Sequence, residues 1–556
     1  MNGARYLAET LANQGVRHVF LVPAILRRTL VELERLGIKR ITTHTESGAA
    51  YMADGFARTS RRPAVAMAQS VGAANLAAGL QDAFLAHSPV IALTGRKPPL
   101  FQHRNAYQEI AHGRMFEPVT KYNATIDTAE QLPFILRQLF REAVSGTPGP
   151  VHADLCGLSG ELIEAGEVSF PLLGDGIPAS FPPFRPAADP ERVKQALDQI
   201  LQAQRPILVV GGGAIASEAH EEVRRLVEAL ALPVATSNDG KGIIAENHPL
   251  SVGLVGSYSQ QCANRSVSEA DLVIFLGSAT GDQVTLDWTL PRVDTPVIQI
   301  DIHPAELGRN YPNALGLCGD ARTILQQFLA VLPNSSPRPF GEWVARVRGY
   351  VEEWRNLVAA NKVSAATPIR PERLCHEISE NLPDDAILVA DTGYSCVWAG
   401  TMMSLTHPTQ RFLRAAGSLG WAFPAALGAK CAAPDKPVIC FSGDGAFLYH
   451  LSELETAKRW GINTITIVNN NSYFGQSIPG MQNAYGSTPG APDEVVQFEN
   501  TDYAKIAENF GCLGIRIENP AEIAPALQSA LKANKPVVID VITDHDCHPP
   551  QIWRAE

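Results

Sequence analysis

Residues 436–475 read KPVICFSGDGAFLYHLSELETAKRWGINTITIVNNNSYFG, and the rest of the chain can be interpreted outward from this segment. An apolar run at 437–441 predicts a strand, a glycine-rich loop follows at 442–445, and a helical pattern covers 448–460. A second strand is predicted at 464–468. Because a helix joins them, the two strands are expected to be parallel, with their carboxyl ends side by side.

Polar residues follow both strands of this unit. Asp444 comes after the first strand and the three asparagines 469–471 come after the second, so a carboxylate and amide oxygens are expected to converge at one sheet edge. Such oxygens around an open position suit Mg²⁺ or Ca²⁺. Gly443 and Gly445 let main-chain N–H groups approach an anion at the start of the following helix. Each turn taken alone is more often only a turn, but together they predict a metal-bridged phosphate site.

The spacing of the two turns resembles the signature of the thiamine diphosphate (ThDP) enzymes, in which Gly-Asp-Gly is followed at similar spacing by an Asn pair. Here 27 positions separate Asp444 from Asn471, and the stretch ends in Gly475. The resemblance is strongest to the acetolactate synthase, pyruvate oxidase and benzoylformate decarboxylase branch, and it extends over nearly the whole chain. It implies that Asp444 and Asn471 give side-chain oxygens to Mg²⁺ and that Tyr473 gives its main-chain carbonyl.

Helix and strand patterns alternate along the chain, which predicts α/β architecture with parallel sheets. At 556 residues the chain is too long for one core, and three domains are expected. The resemblance implies three doubly wound parallel-sheet domains: a pyrimidine-binding domain at 1–165, a central Rossmann-like domain at 185–335 and a diphosphate-binding domain at 365–556. The Pro-rich run 169–190 predicts a linker.

Composition and charge narrow the partners. The chain is 45% hydrophobic and 19% charged, as in ordinary globular proteins. Its formal charge of -11, without a basic stripe, argues against a nucleic-acid partner. Nine scattered cysteines with no C-x-x-C pair are typical of a reduced protein rather than a disulfide framework or zinc site. With no signal peptide and no apolar run that could span a membrane, the expected location is cytoplasmic.

The segment HTESGAAYMADGFART, residues 44–59, places Glu46 at the start of a helix. A glutamate in a first helical turn is commonly a surface residue that compensates the helix dipole. This segment, however, resembles the family's H-E-x-x-A-x-x-x-A-x-G-x-A-R helix. In that family the glutamate hydrogen-bonds N1′ of the aminopyrimidine and favours the 4′-imino form, which takes the proton from thiazolium C2. The resemblance implies this acid–base role for Glu46.

A second run, TGRKPPLFQHRNAYQE at 94–109, is similar to the T-G-Q-x-P and F-Q-E run of the acetolactate synthases. In that register Gln108 matches the family's active-site glutamine, which implies a catalytic role. Tyr107 stands where the family usually has Phe.

Some positions depart from the family. The residues after Pro23 are Ala-Ile-Leu-Arg at 24–27 instead of small residues, so a reshaped pocket is expected. Gln69 occupies the place of the catalytic His of benzoylformate decarboxylases. His44 and His103 are the candidates for further acid–base work, and each is more commonly an ordinary polar helix or loop residue.

Further residues align with cofactor contacts of the family. Gly393, Tyr394 and Ser395 align with positions that hold the diphosphate. The run 411–432 resembles the family's G-G-L-G-x-x-x-P-A-A-x-G-A, in which Leu419 matches the apolar residue that bends the cofactor; a plain core residue is the alternative. The resemblance implies cofactor contacts at Gly393, Tyr394, Ser395, Gly417, Leu419, Gly443, Asp444, Gly445, Ala446, Asn471, Tyr473 and Gly475.

The central segment 206–230 reads as strand, glycine turn and helix, which invites a dinucleotide interpretation from Gly211, Gly213 and Ala216. No acidic residue ends the next strand, where ribose recognition needs one. Relatives that hold FAD usually show an R-F-D-D-R-like run where this chain has SATGDQVT at 278–285. FAD is therefore an alternative that is not favoured.

The sequence thus predicts a ThDP- and Mg²⁺-dependent enzyme, similar to acetolactate synthase, that decarboxylates a 2-oxo acid, ligates it to an aldehyde or ketone, or both. The alternatives are a 2-hydroxyacyl-CoA lyase, a flavin-linked 2-oxo acid oxidase and a non-catalytic ThDP-binding relative. Intact Glu46, Asp444 and Asn471 count against the last of these. The resemblance also implies a homodimer or homotetramer in which Glu46 of one chain meets Asp444 of another. The Ala-rich helices at 49–57 and 422–432 suit close packing, either between chains or within one.

Overall fold

The computed structural model describes residues 1–172, 180–332 and 340–555 and contains three six-stranded sheets. Every pair of neighbouring strands in them is parallel. The strands are β1 His18–Leu21, β2 Lys39–Thr42, β3 Ala64–Gln69, β4 Val90–Arg96, β5 Tyr122–Ile126, β6 Val151–Cys156, β7 Pro206–Val210, β8 Val234–Thr236, β9 Ser251–Leu254, β10 Leu272–Leu276, β11 Val297–Asp301, β12 Ala314–Cys318, β13 Ile387–Ala390, β14 Arg411–Arg414, β15 Val438–Gly443, β16 Ile465–Asn470, β17 Leu513–Ile517 and β18 Val537–Ile542. The predicted fold class, three α/β units with parallel sheets, is confirmed.

The first and third sheets have the same connectivity. Their strand orders are β2-β1-β3-β4-β6-β5 and β14-β13-β15-β16-β18-β17, whereas the central sheet has the order β12-β11-β10-β7-β8-β9. We call the units around these sheets the first, central and third domains. The predicted domain boundaries stay predictions. Two of them, positions 335 and 556, lie outside the described residues, as do residues 173–179 of the predicted linker.

Helices cover the faces of the sheets, because strands buried on both faces need apolar layers on each side. The helices are α1 Gly3–Asn13, α2 Arg27–Arg35, α3 Glu46–Ser60, α4 Gly72–Leu85, α5 His112–Phe116, α6 Leu132–Val144, α7 Glu161–Ala165, α8 Pro190–Gln202, α9 Gly212–Ala216, α10 His220–Leu230, α11 Gln261–Glu269, α12 Asp282–Thr285, α13 Ala321–Val331, α14 Gly341–Lys362, α15 Pro371–Glu380, α16 Tyr394–Met402, α17 Ala422–Ala432, α18 Asp444–Leu448, α19 Glu453–Trp460, α20 Ile478–Tyr485, α21 Tyr503–Asn509 and α22 Ile523–Lys532. Among the residues that the structure describes, no helix combines the length and apolarity needed to cross a bilayer.

The helix predicted at 448–460 is wrong in its start and its continuity. Helix α18 begins at Asp444, directly after β15, and the chain then turns at 449–452 before α19 begins. Asp444 supports the early start because its carboxylate accepts the Gly445 N–H at 2.9 Å. In the turn, N–H groups bond three residues back instead of four, as in Glu453 N–H to the His450 carbonyl at 3.0 Å.

The first and third domains share one apolar core, to which α3, α4 and α17 all contribute. Helices α3 and α17 approach so closely that two glycines have no room for a side chain. A Cβ at Gly55 would lie 2.0 Å from the Ala425 carbonyl oxygen, and one at Gly428 would lie 1.8 Å from the Met52 carbonyl oxygen. The Ala-rich faces at 49–57 and 422–432 are therefore buried within one chain.

A buried polar network reinforces this contact. The guanidinium of Arg58 donates to Asp54 at 2.7 and 2.8 Å, to Asp82 at 3.2 Å and to the Arg414 carbonyl at 2.7 Å. The indole N–H of Trp421 donates to Asp54 at 2.8 Å. Two carboxylates and one guanidinium thus join the first domain to the third inside a single chain.

We predict that Gly428→Ala destabilises the protein, because its methyl group would overlap the main chain of α3. The free energy of unfolding should fall by about 1–3 kcal/mol or more. The matched control is Gly349→Ala in α14, where a Cβ meets open space. Removing a helical glycine there should raise the stability by up to about 1 kcal/mol. Denaturant unfolding of both variants checks this, and equal effects would contradict the close packing.

Candidate active site

The predicted metal residues lie together at the carboxyl ends of β15 and β16, which are neighbours in the third sheet. Asp444 Oδ2 accepts the Ser472 N–H at 2.5 Å, which ties α18 to the loop after β16. Asn471 Oδ1 accepts the Tyr473 N–H at 3.0 Å and shapes that loop. The side chain of Asn470 instead donates to Asp540 at 2.8 Å and is part of the core.

Two polar groups at this edge fit a divalent cation. Asp444 is 2% exposed, and no described cationic side chain pairs with it. Burial raises the pKa of Asp444 to about 7, which a nearby cation would reverse. Asn469 is also buried, and its Oδ1 has no hydrogen-bond partner among the described residues. Carboxylate and amide oxygens of this kind are ligands for Mg²⁺.

The residues predicted to hold the diphosphate surround the same edge. Helix α16 begins beside the end of β15, since a Cβ at Gly443 would lie 3.3 Å from Ser395 Oγ. A Cβ at Gly475 would lie 3.3 Å from the Tyr394 ring. Gly393 has φ +69°, a conformation that favours glycine. Ala446 is buried in the first turn of α18. The structure thus brings this predicted group together, and its cofactor role stays a prediction.

The 415–421 turn, which carries Gly417 and Leu419, is held by two buried aspartates. Asp82 accepts the N–H groups of residues 416–418 at 2.9 to 3.2 Å. Asp391 accepts two more, those of residues 420 and 422, at 2.9 and 3.0 Å. Leu419 is half-buried rather than part of the core, and a Cβ at Gly417 would meet open space.

Glu46 is the first residue of α3 and lies against the start of α4. Its Oε2 accepts from Asn75 Nδ2 at 3.1 Å, and a Cβ at Gly72 would lie 2.3 Å from its Oε1. The 416–418 turn contacts Asp82 at the other end of α4. Asp82 follows Asn75 by seven positions of helix, which is about 10 Å along the axis. Over the described parts of the chain, no hydrogen bond joins the Glu46 carboxylate to Asp444 or to the loop after β16.

Gln108 lies at the carboxyl ends of β3 and β4, in the same region of the first domain. Its Oε1 accepts from Gln69 Nε2 at 2.9 Å, and its Nε2 donates to the Tyr107 hydroxyl at 3.1 Å. Its carbonyl accepts from the Ser70 hydroxyl. These bonds hold Gln108 at φ +61°, which is unusual for a residue with a side chain. Gln69, which replaces the histidine of benzoylformate decarboxylases, therefore orients the predicted catalytic amide.

The remaining expectations concern the residues after Pro23 and the two candidate histidines. Ile25 and Leu26 are fully buried in the core of the first domain, so neither side chain lines an open pocket, and a reshaped pocket stays a prediction. His44 bonds Glu455 at 2.8 Å, and His103 is an exposed loop residue whose N–H donates to Glu109 at 3.0 Å. These contacts agree with their interpretation as ordinary polar residues.

The glycines of the central domain have a packing role. A Cβ at Gly211 would lie 2.3 Å from the Gly277 carbonyl oxygen, and one at Gly213 would lie 2.8 Å from the Gly277 Cα. The turns after β7 and β10 therefore need these glycines to pack against each other. They give no independent support to a dinucleotide site, and bound FAD stays an alternative.

His450 links α3 of the first domain to the 415–421 turn of the third domain within one chain. Its Nδ1–H donates to the Gly420 carbonyl at 3.0 Å, and its Nε2 accepts from the Ser47 hydroxyl at 3.1 Å. This pattern fits the neutral ring. Burial lowers the pKa of His450 to about 4.

We predict that His450 makes the protein acid-sensitive. A histidine with a lowered folded-state pKa contributes stability that is fully present above its unfolded pKa of about 6.5, and that contribution is lost as the pH falls toward 4. The loss amounts to about 2–3 kcal/mol. Unfolding measured from pH 7 to pH 4 should show a shallower decline in His450→Gln than in the wild type. His303→Gln, at an exposed position, is the control and should follow the wild-type curve.

Three sequence profiles of one protein family match the chain. The "Thiamine pyrophosphate enzyme, N-terminal TPP binding domain" matches residues 1–115, the "central domain" matches 193–328, and the "C-terminal TPP binding domain" matches 391–541. Together they cover most of the chain, and each contains the sheet of one domain or most of it.

Known proteins align along nearly the whole length. The chain is 33% identical to a probable acetolactate synthase large subunit of Methanocaldococcus jannaschii, over 98% of this chain and 92% of that protein. It is 31% identical to the acetolactate synthase large subunit of Corynebacterium glutamicum, over 100% and 88%. The isozyme 3 large subunit of Escherichia coli is 28% identical, over 99% and 97%. The chain therefore belongs to the thiamine pyrophosphate enzyme family. Within it, the protein is a ThDP-dependent enzyme of the acetolactate synthase branch.

Proposed function

We propose that this enzyme requires Mg²⁺ as well as ThDP, decarboxylates a 2-oxo acid and joins the remaining acyl unit to an aldehyde or ketone. The observation that carries the proposal is the buried carboxylate of Asp444, which accepts the Ser472 N–H in the loop that also carries Asn471 and Tyr473. It supports a cation at the edge where the sequence predicts a diphosphate. Homologues named as acetolactate synthases support the reaction class.

In this proposal each predicted residue has a defined task. Asp444, Asn471 and the Tyr473 carbonyl hold Mg²⁺, and the start of α16 with the Gly443–Ala446 turn holds the diphosphate. Bound ThDP supplies an acidic C2 carbon that reacts with the substrate carbonyl. Glu46 holds a proton at N1′ of the aminopyrimidine, and Gln108 orients the substrate with its Gln69-supported amide.

We further propose a homodimer, or a tetramer of such dimers, in which Glu46 of one chain and Asp444 of another serve the same cofactor. Support comes from the placement of Glu46 and the 416–418 turn at opposite ends of α4 in one chain. Exposed apolar side chains at Leu100, Phe101 and Tyr107, near Gln108, supply surface for a second copy. A two-fold arrangement would complete two equivalent sites at once.

The test of the cofactor roles compares Glu46→Gln with Asp444→Ala. Glu46→Gln should keep ThDP affinity and slow deuterium exchange at C2 by orders of magnitude, since the amide cannot take up the proton. Asp444→Ala should weaken binding of ThDP with Mg²⁺ itself. Calorimetry and C2 exchange separate the two effects. The control is Asp435→Ala on the exposed surface. Wild-type C2 exchange in Glu46→Gln, or wild-type ThDP affinity in Asp444→Ala, would remove that residue from its role.

Mixing the two inactive variants tests the shared site. If chains exchange, half of the dimers are hybrids with one intact site, and activity should recover to about a quarter of the wild type. Demonstrated exchange without recovery would show that both residues act from the same chain.

The substrate class is tested with a panel of 2-oxo acids, with and without aldehyde acceptors. Turnover of 2-hydroxyacyl-CoA thioesters alone would favour a lyase, electron transfer to an added flavin would favour an oxidase, and ThDP binding without any turnover would favour a non-catalytic relative. We place the enzyme in the cytoplasm, which the nine free cysteines support.

A further inference from the structure

We propose that Glu453 is a positioning residue, which holds the main chain in front of Glu46 and so sets where the Glu46 carboxylate lies. This inference rests on the proposed role of Glu46. Glu453 belongs to the third domain, whereas Glu46 belongs to the first, so the contact crosses between domains of one chain.

The Glu453 side chain is fully buried and reaches the turn between β2 and α3. Its Oε1 accepts the His44 N–H at 3.0 Å and the Thr45 N–H at 3.3 Å. Its Oε2 accepts from the Thr456 hydroxyl at 2.6 Å, which fixes the orientation of the carboxylate. Glu46 follows these two residues directly. Both N–H groups precede the first turn of α3, so the carboxylate anchors the backbone from which Glu46 projects.

Gly48 leaves the room that this contact needs. A Cβ at Gly48 would lie 2.8 Å from Glu453 Oε1 and 2.8 Å from Thr45 Oγ1. Thr45 caps α3 by accepting the Gly48 N–H at 3.0 Å, so the turn is stabilised from within as well as by Glu453. A residue larger than glycine at position 48 would push the Glu453 carboxylate away.

Helix α19, which begins at Glu453, makes further contacts with the same segment. Glu455 bonds His44 Nε2 at 2.8 Å, and Arg459 donates to the Thr42 carbonyl at 3.0 Å. Both contacts are exposed, whereas Glu453 is buried. Hydrogen bonds that a buried carboxylate accepts from main-chain N–H groups contribute more to stability than exposed ion pairs do. Glu453 is therefore the residue of α19 that fixes the position of Glu46.

The position of Glu46 matters because a proton passes only over hydrogen-bond distance. A displacement of about 1 Å at a reacting group costs on the order of a hundredfold in rate. Moving the His44–Thr45 main chain by this amount would carry Glu46 with it. The diphosphate and metal residues lie on other loops and would keep their geometry.

Two substitutions separate the reach of Glu453 from its charge. Glu453→Asp keeps a carboxylate, but the side chain is shorter by one methylene. Its oxygens therefore no longer reach the His44 and Thr45 N–H groups. Glu453→Gln keeps the length and an oxygen that accepts them, but has no charge. If positioning is the role, C2 deuterium exchange of bound ThDP should slow at least tenfold in Glu453→Asp and stay within about threefold of the wild type in Glu453→Gln. Gly48→Ala, which displaces the carboxylate without replacing it, should resemble Glu453→Asp.

A second measurement follows the same variants without any bound cofactor. Amide hydrogen exchange of the cofactor-free protein should show faster exchange of the His44 and Thr45 amides in Glu453→Asp and Gly48→Ala, and wild-type protection in Glu453→Gln. Glu455→Gln is the matched control, since it changes only exposed contacts of the same helix, those with His44 and Arg459. ThDP affinity in the presence of Mg²⁺ should stay within a few-fold in all four variants.

Unchanged protection of both amides in Glu453→Asp, or wild-type C2 exchange despite lost protection, would overturn the inference. Equal slowing in Glu453→Asp and Glu453→Gln would also overturn it, because the effect would then follow charge and not reach. Glu46→Gln is measured in parallel. If it too exchanges at the wild-type rate, the proposed role of Glu46 fails; if it alone is slow, only the role of Glu453 fails.

Discussion

Buried carboxylates that accept main-chain N–H groups hold the loops of the candidate site in place. Asp82 and Asp391 bind the 415–421 turn, Asp444 binds the start of its own helix and the loop after β16, and Glu453 binds the turn before α3. A loop has few internal contacts, and an ionised acceptor in a dry environment forms stronger hydrogen bonds than a neutral one. The cost is the burial of negative charge, which raises the pKa of Asp391 to about 6 and that of Asp444 to about 7. Arg58 offsets part of this cost at Asp82.

The sequence predicted the parallel sheets and the grouping of residues at the third sheet because both follow from local rules. Apolar runs mark buried strands, and parallel strands place their carboxyl ends at one edge. Asp444 and Asn471 meet for that reason. The expected helix at 448–460 was wrong because helical periodicity reports only local spacing. It does not show that side chains of this segment form hydrogen bonds with another domain. His450 and Glu453 contact the first domain, and the helix is interrupted beside them.

The hydrogen bonds between domains could not be predicted from the sequence. Asp82 lies in an alanine-rich helix, and Glu453 begins a charged one, so neither stands out by pattern. Their partners are main-chain N–H groups more than 300 residues away. Nearly every residue has such a group, so the residue type at the partner position does not indicate the contact. The same limit applies to Ile25 and Leu26. They follow a strand end, where site residues often lie, yet the chain turns inward and buries both.

The contact between α3 and α17 also bears on the thermodynamics of cofactor binding. With glycine against main chain at Gly55 and Gly428, the first and third domains have no space in which to hinge against each other. Ligand binding therefore does not have to lose the entropy of closing two domains, and only shorter loops need to become ordered. The heat-capacity change of ThDP binding should then reflect the cofactor pocket and the loops that become ordered, with no contribution from apolar domain faces brought together.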